Sequence, residues 1–181
     1  LVAMFNAGFA ENGETDEPVV TTPQGTSDAK FASGLLPVDW KPSRQTSPIF
    51  NYPYARTREA LDGLARAGAP DPCHGYKLRY VNPASGGAPI ATMGTFMQLL
   101  PKGFATAPYR STDGTVFSVV EGEGESRIGD TVMRWKKRDH FVVPSWARVE
   151  HRADGDAVLF SFSDRPIQEK LDFWREDRGG R

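Results

Sequence analysis

The sequence has one cysteine, three histidines and no long apolar run. Cys73 alone excludes an internal disulfide and any zinc site built from several cysteines, and it favours a reducing compartment, so we expect a cytoplasmic protein. No segment has the roughly 20 consecutive apolar residues that span a bilayer, which argues against a membrane partner. The formal net charge is −1 with dispersed Lys and Arg, so nucleic acid is not an expected partner either.

The first third of the chain lacks a regular hydrophobic period. Residues 12–53 are rich in Pro, Gly, Ser and Thr, yet they carry too many large apolar side chains to stay solvated. We therefore predict a connector arm over residues 1–56, held against the folded surface of a domain over residues 57–181. Because the chain opens at Leu1 with "LVAMF", typical of the end of a strand, we interpret it as a C-terminal segment of a longer protein.

The rest of the chain is patterned mainly as short strands. "TREALDGLARAG" predicts one helix with Thr57 as its N-cap. From residue 76 onward, alternating apolar segments are separated by turn signals, with "EGEG" as a hairpin turn, and this pattern favours a β-sandwich or closed barrel. "DRPIQEKLDFWRED" predicts a C-terminal helix that begins after Asp164 and carries Ile167, Leu171 and Trp174 on one face.

Two stretches resemble the paired motifs of the cupin superfamily, "LPKGFATAPYRSTDGTVFSVVEGEGESRIG" and "RDHFVVPSWARVEH". The longer run from "YVNPASGGAPIATMGTFMQLLPKG" to "FSFSDRPIQEKLDFWRED" resembles the C-terminal cupin of the gentisate 1,2-dioxygenases, two-cupin enzymes that cleave an aromatic ring with non-haem iron and dioxygen. The resemblance implies an all-β fold, a double-stranded β-helix or jelly-roll barrel, with a short helix before it and a helix after it. Residues 57–181 would be the C-terminal cupin, and residues 1–56 would join the two cupins.

The cupin spacing assigns the positions at which a metal would be bound. Counting from Gly103, the two histidines of the first motif fall on Tyr109 and Ser111, and its glutamate falls on Thr115. The histidine of the second motif falls on Val149. A ferrous oxygenase centre needs at least three imidazole or carboxylate donors, which these degenerate positions do not supply. We therefore expect neither a catalytic residue nor a metal in this segment.

The remaining polar residues of the motifs suggest a pocket rather than a reaction centre. His74, His140 and His151 lie in separate segments and are not expected to form a metal site; His151 alone would face the barrel interior, where a lone histidine is more often a hydrogen-bonded core residue. Tyr109, Arg110 and His151 could line a small pocket. Arg110, Arg148 and Arg152 could hold a carboxylate, although pairing with Glu121, Glu150 or Asp154 is the commoner arrangement.

The resemblance implies a function for the whole enzyme and a supporting role for this half. The parent would open 2,5-dihydroxybenzoate with dioxygen to maleylpyruvate, using Fe(II) bound by an N-terminal cupin that is absent here. This half would pack against that cupin and help to form a homotetramer, with the apolar arm and the Trp174 helix as contact surfaces. The alternatives are a related salicylate or 1-hydroxy-2-naphthoate ring-cleaving dioxygenase, or a non-enzymatic cupin that binds a small organic acid.

Overall fold

A computed structural model describes residues 23–31, 34–41, 46–49 and 51–179. The strand end expected at "LVAMF" and much of the expected arm lie outside these residues. Within the described residues the helices are α1 (Thr26–Phe31), α2 (Tyr54–Ala67) and α3 (Arg165–Lys170). The ten strands of the described residues are β1 (Tyr76–Arg79), β2 (Gly94–Leu100), β3 (Arg110–Ser111), β4 (Thr115–Glu121), β5 (Glu123–Ile128), β6 (Thr131–Lys136), β7 (His140–Val143), β8 (Val149–Ala153), β9 (Ala157–Ser163) and β10 (Glu176–Asp177).

Two antiparallel sheets form the barrel. The larger sheet has the strand order β1-β2-β9-β4-β7, and the smaller has the order β6-β5-β8. β4 and β5 lie in different sheets, so "EGEG" carries the chain from one sheet to the other and the predicted hairpin turn there is wrong. Gly122 makes this crossing with φ +79°, and a Cβ there would lie 2.4 Å from the carbonyl oxygen of Asp156, so the position requires glycine.

Strands β2 and β9 of the larger sheet are buried on both faces. Because side chains alternate along a strand, Leu100 and Leu159 point into the barrel, where they pack with Trp135 and Phe141. Their neighbours Leu99 and Val158 point outward and are covered by α2. Strands buried on both faces have apolar residues at successive positions instead of alternate ones, and this explains the apolar runs in β2 and β9.

Helix α2 begins four residues before its predicted start. Tyr54 is its first residue and Pro53 stands at the N-cap, so the expected cap at Thr57 is wrong. Thr57 instead accepts a hydrogen bond from the Tyr80 hydroxyl at 3.0 Å. Leu61 is fully buried against the outer face of the sheet. The division of the chain at residues 56 and 57 stays a prediction.

The C-terminal helix is much shorter than predicted. Asp164 stands at the N-cap of α3 as expected, but the helix ends at Lys170 and Asp172 adopts a left-handed φ of 56°. Leu171 is exposed, so the expected apolar face through Trp174 does not form. The chain instead continues to β3 and pairs with it as β10 at one open end of the barrel, the barrel mouth. The backbone hydrogen bonds of this pairing replace those that further helical turns would make.

Candidate functional site

The four positions that the cupin spacing assigns to metal ligands line one cavity at an end of the barrel. Tyr109 and Val149 face each other across a β-bridge, with backbone N–H to O distances of 3.0 and 2.8 Å. Ser111 follows two residues later in β3, and Thr115 opens β4. The register therefore brings these positions together from three separate segments of the chain.

The side chains at these positions do not fit ferrous iron. Val149 offers only alkyl carbon, and Ser111 is a buried hydroxyl. The Tyr109 hydroxyl donates a hydrogen bond to Glu176 at 3.1 Å, and burial raises the pKa of the phenol above its usual value. Within the described residues no group of three His, Cys, Asp or Glu side chains is arranged to hold a metal ion. An Fe(II) oxygenase centre needs imidazole or carboxylate donors that this set lacks.

A small cavity occupies this end of the barrel. Its volume is about 40 Å³, and the predicted pocket residues Tyr109, Arg110 and His151 all line it. His74 lines it as well, so two histidines from separate segments share the chamber, whereas His140 is exposed at the start of β7. The cavity also receives polar side chains that the sequence analysis did not select: Lys77, Gln98, Asp113 and Arg165.

Lys77 did not stand out in the sequence, although the alternation along β1 separates it from its apolar neighbours. Tyr76, Leu78 and Tyr80 are the apolar positions of "YKLRY", and they pack on the outer face with α2. Alternation then directs Lys77 into the barrel, opposite Gln98 on β2. A strand whose apolar side faces outward against a helix presents its polar side to the interior. Burial lowers the pKa of Lys77 to about 8.

His151 belongs to a buried chain of three polar side chains. Its Nδ1 lies 2.7 Å from Oγ of Ser126, which accepts a hydrogen bond from the indole N–H of Trp135 at 2.8 Å. The ring is 4% exposed and contacts Phe117 edge-on at a centroid distance of 5.0 Å. Burial, with a smaller contribution from the charge of Lys77, lowers the pKa of His151 to about 3, so the imidazole is neutral at pH 7.

Asp113 is the carboxylate that lines the cavity, and its oxygens already accept hydrogen bonds from neighbouring side chains. It receives a hydrogen bond from the Trp174 indole N–H at 2.9 Å and one from Thr115 at 3.4 Å. Burial alone would raise the pKa of this carboxyl, but hydrogen bonds from Ser163, Ser111 and Trp174 hold it below the usual value. Asp113 is therefore a carboxylate that ties the C-terminal segment to the barrel.

The arginines around the chamber pair with a carboxylate that the sequence analysis did not consider. Arg110 and Arg148 both contact Asp177, at 2.9 and 3.2 Å, and Arg110 also stacks on Trp146 with its guanidinium 4.5 Å from the ring centre. Arg152 is exposed. The expected pairing with Glu121, Glu150 or Asp154 is wrong for Arg110 and Arg148, because β10 brings Asp177 alongside β3.

The comparisons with known proteins agree with this geometry. A scan against protein-family models finds no match. Gentisate 1,2 dioxygenase 1 of Aquipseudomonas alcaligenes is 55% identical over 178 residues, which cover 98% of this chain and 51% of that protein. The chain belongs to the gentisate 1,2-dioxygenase family. It spans about half the length of the curated relatives it matches.

Other members of the family carry different names. The 5-aminosalicylate 1,2-dioxygenase of Comamonas sp is 35% identical, over 97% of this chain and 47% of that protein. A crystal structure of salicylate 1,2-dioxygenase from Pseudoaminobacter salicylatoxidans, an adduct with gentisate, superposes with a TM-score of 0.85 at 31% identity and covers 99% of this chain and 51% of that chain. The predicted all-β cupin fold is confirmed. No helix of the described residues is long and apolar enough to cross a membrane.

Proposed function

We propose that this chain is the metal-free cupin half of a gentisate 1,2-dioxygenase-like enzyme. The whole protein would open 2,5-dihydroxybenzoate with dioxygen to give maleylpyruvate, and an N-terminal cupin would hold the Fe(II). The observation that carries the proposal is the 55% identity, over nearly all of this chain, to a protein named for that activity. The donor set at positions 109, 111, 115 and 149 supports the placing of the iron in the other half.

This half would act as a packing and assembly unit. Several large apolar side chains that one barrel does not need to cover are exposed, both before α2 and after α3. Val38 is 99% exposed and Leu35 67%, and Phe173 follows α3 at 66%. Apolar surface of this kind is typical of an interface. We assign it to contacts with the N-terminal cupin and with further subunits of a homotetramer.

Gentisate is the substrate we favour over salicylate and 1-hydroxy-2-naphthoate. The relative at 55% identity is named for gentisate, whereas the relatives named for 5-aminosalicylate and 1-hydroxy-2-naphthoate share 35% and 26% identity. One pocket residue in the other half can change such a preference, so the substrate is tested directly below.

The alternative of a cupin that binds an aromatic or other organic acid in this barrel finds little support. The cavity of about 40 Å³ is far smaller than the roughly 300 Å³ at which small-molecule sites begin. Arg110 and Arg148, the residues that could receive a carboxylate, already contact Asp177. The carboxylate of a benzoate would have to displace Asp177 from these arginines.

The test compares this chain with the complete product of its gene. Both are purified, incubated with Fe(II), freed of unbound metal and assayed for oxygen uptake and for the near-ultraviolet absorbance of maleylpyruvate. Gentisate, salicylate, 5-aminosalicylate and 1-hydroxy-2-naphthoate are the substrates. We expect the complete product to bind iron and consume gentisate fastest, and this chain to do neither.

Two results would contradict the proposal. Turnover of gentisate by this chain alone would show that the barrel described here is itself catalytic. A complete product that binds iron but prefers another acid of the panel would overturn the substrate and leave the reaction class in place.

A further inference from the structure

A second, larger concavity lies beside the cavity, as a cleft between helix α3 and the loop that follows β1. Its volume of about 390 Å³ falls within the range of roughly 300–1,000 Å³ that is typical of small-molecule sites. Cleft and cavity meet at Phe96 and Arg165, which line both. Within the described part of the chain, the charged residues that line the cleft are three cations and one carboxylate: Arg79, Arg165, Lys170 and Glu169. The cleft therefore suits a ligand of negative charge.

The strand order places two arginines on opposite sides of the cleft floor. β2 lies between β1 and β9, and Arg79 of β1 is paired with Phe96 of β2. On the other side, Gly94 is paired with the last residue of β9, and α3 begins two residues after that strand, at Arg165. A Cβ at Gly94 would lie 3.1 Å from the Phe96 ring and 3.3 Å from Cδ of Pro166. The floor between the two arginines is thus apolar and closely packed.

Arg165 is held by two contacts that leave the outer end of its guanidinium group free to bind. Its Nε donates a hydrogen bond to Glu169 at 2.7 Å, and the group lies 3.8 Å from the centre of the Trp174 ring. Its two terminal nitrogen atoms donate to no acceptor among the residues that the structure describes. A guanidinium group fixed in this way can donate two parallel hydrogen bonds to a carboxylate. Arg79 is exposed and forms no ion pair with the described residues, so it adds a second positive charge.

The loop that faces α3 argues for a carboxylate rather than a phosphate. Phosphate groups are commonly bound by successive backbone N–H groups that point into one concavity. In this loop those groups are used internally: the N–H groups of Ser85 and Gly86 donate to the carbonyl oxygen of Asn82 at 3.2 and 2.8 Å. The N–H of Gly87 donates to Oγ of Ser85 at 3.3 Å. Recognition of an anion in the cleft is therefore left to the cationic side chains.

We propose that the cleft binds a small organic acid, whose carboxylate pairs with Arg165 and whose apolar part lies on Phe96. Arg79 would raise the affinity through its charge. Nζ of Lys170 donates to the carbonyl oxygen of Ala91 at 2.9 Å, which ties α3 to the loop and fixes the width of the cleft. The site lies next to the barrel cavity, which is too small for such an acid, and it does not depend on the proposed enzyme activity.

The test is a titration of para-fluorobenzoate with the full chain, followed by the width of the fluorine NMR signal. We expect saturable broadening that unlabelled benzoate reverses and that inorganic phosphate at the same concentration does not. Broadening that does not saturate would overturn the site. Reversal by phosphate as effective as that by benzoate would overturn the assignment to a carboxylate with an apolar part.

Three variants locate the binding. Arg165→Lys keeps the charge but loses the planar fork, and should raise the dissociation constant about tenfold. Arg79→Gln removes a charge that is not in direct contact, and should raise it about threefold. Arg127→Gln, at an exposed arginine of β5 in the smaller sheet, is the matched control and should leave it unchanged. Equal affinities in all three folded variants would overturn the proposal.

Diffraction at the bromine absorption edge, from crystals of the full chain soaked in para-bromobenzoate, decides the position even if Arg165→Lys does not fold. An anomalous peak is expected over Phe96, and a peak elsewhere alone would overturn the assignment. Because none of these measurements involves iron or gentisate, a failure here is distinguishable from a failure of the proposed function.

Discussion

The two ends of the barrel interior are built from the same strands but differ in chemistry. Along β9, the inward residues change from Leu159 at one end to Ser161 and Ser163 at the other, and along β2 they change from Leu100 to Gln98. The apolar end is a core that needs only close packing. The polar end needs hydrogen-bond partners, because a buried polar group without one is destabilising. Among the described residues, Oγ of Ser161 is the one buried side-chain polar atom that has none.

The C-terminal segment supplies many of those partners. Trp174 donates to Asp113, Asp177 receives two arginines, and Arg178 pairs with Asp71 near the start of β1. A metal ion would join the strands at this end through its ligands. In this chain, backbone pairing of β10 with β3 and these side-chain contacts perform that task.

The largest effect is expected when the polar end is given a metal site. Tyr109→His, Ser111→His and Val149→His together place three imidazoles on adjacent strands, since positions 109 and 149 are paired. We expect metal content, measured by mass spectrometry after dialysis against Fe(II) or Zn²⁺, to rise from none to about one equivalent per chain. The same three positions changed to Asn provide the control. Unchanged metal content in a folded triple-His variant would show that the motif alignment is wrong.

Removal of Trp135 tests the apolar end. Trp135→Ala should lower the free energy of unfolding by about 3–5 kcal/mol, because it leaves a large cavity and deprives Ser126 of its donor. Denaturation in urea gives the value. Val132→Ala on the same strand is the control; its side chain is about half exposed, and we expect a change within about 0.5 kcal/mol. Equal losses in the two variants would contradict the assignment of Trp135 to the core.

The polar end, unlike the apolar end, should make stability depend on pH. The pKa of His151 falls from 6.5 to about 3 on folding, so below pH 6.5 the unfolded chain takes up a proton that the folded chain does not. Stability should therefore decrease as the pH falls from about 6.5 towards 3, by up to about 1.4 kcal/mol per pH unit from this group. His151→Gln should reduce that slope in urea titrations at several pH values. An unaltered slope would mean that His151 is not buried as a neutral base.

The smallest effect is expected at the rim of the polar end. Asp177→Asn removes the charge that faces Arg110 and Arg148, and should lower Tm slightly at low salt. The difference should disappear at high ionic strength, because exposed ion pairs are screened. Asp172→Asn, which alters a 96% exposed carboxylate, is the matched control. A large, salt-independent loss for Asp177→Asn would show that the tail contributes more than surface pairing.

The frame of the barrel could be predicted from the sequence because it depends on local patterns. The spacing from Gly103 to Gly122 and the alternation of each strand follow from turn geometry and burial, which act over a few residues. The partner of Arg110 could not be predicted in this way. Asp177 is 67 residues further on, and the two meet only because the chain leaves the helical path after Lys170.

The position of Lys77 could be predicted only in part. The alternation places it on the opposite face from Tyr76 and Leu78, but the sequence does not say which face is the inside of the barrel. Only the position of α2 on the outer face decides that point. A pattern of period two identifies which residues share a face, and the tertiary packing determines where that face points.

Cys73 gives a way to observe the C-terminal segment directly. The thiol is buried, with Sγ 3.8 Å from the carbonyl oxygen of Arg178, so the segment that carries Asp177 lies over it. An alkylating reagent can reach this sulfur only when that segment lifts away or the whole domain unfolds. Labelling in native buffer that is faster than global unfolding therefore measures how often the C-terminal segment lifts away, without any engineered probe.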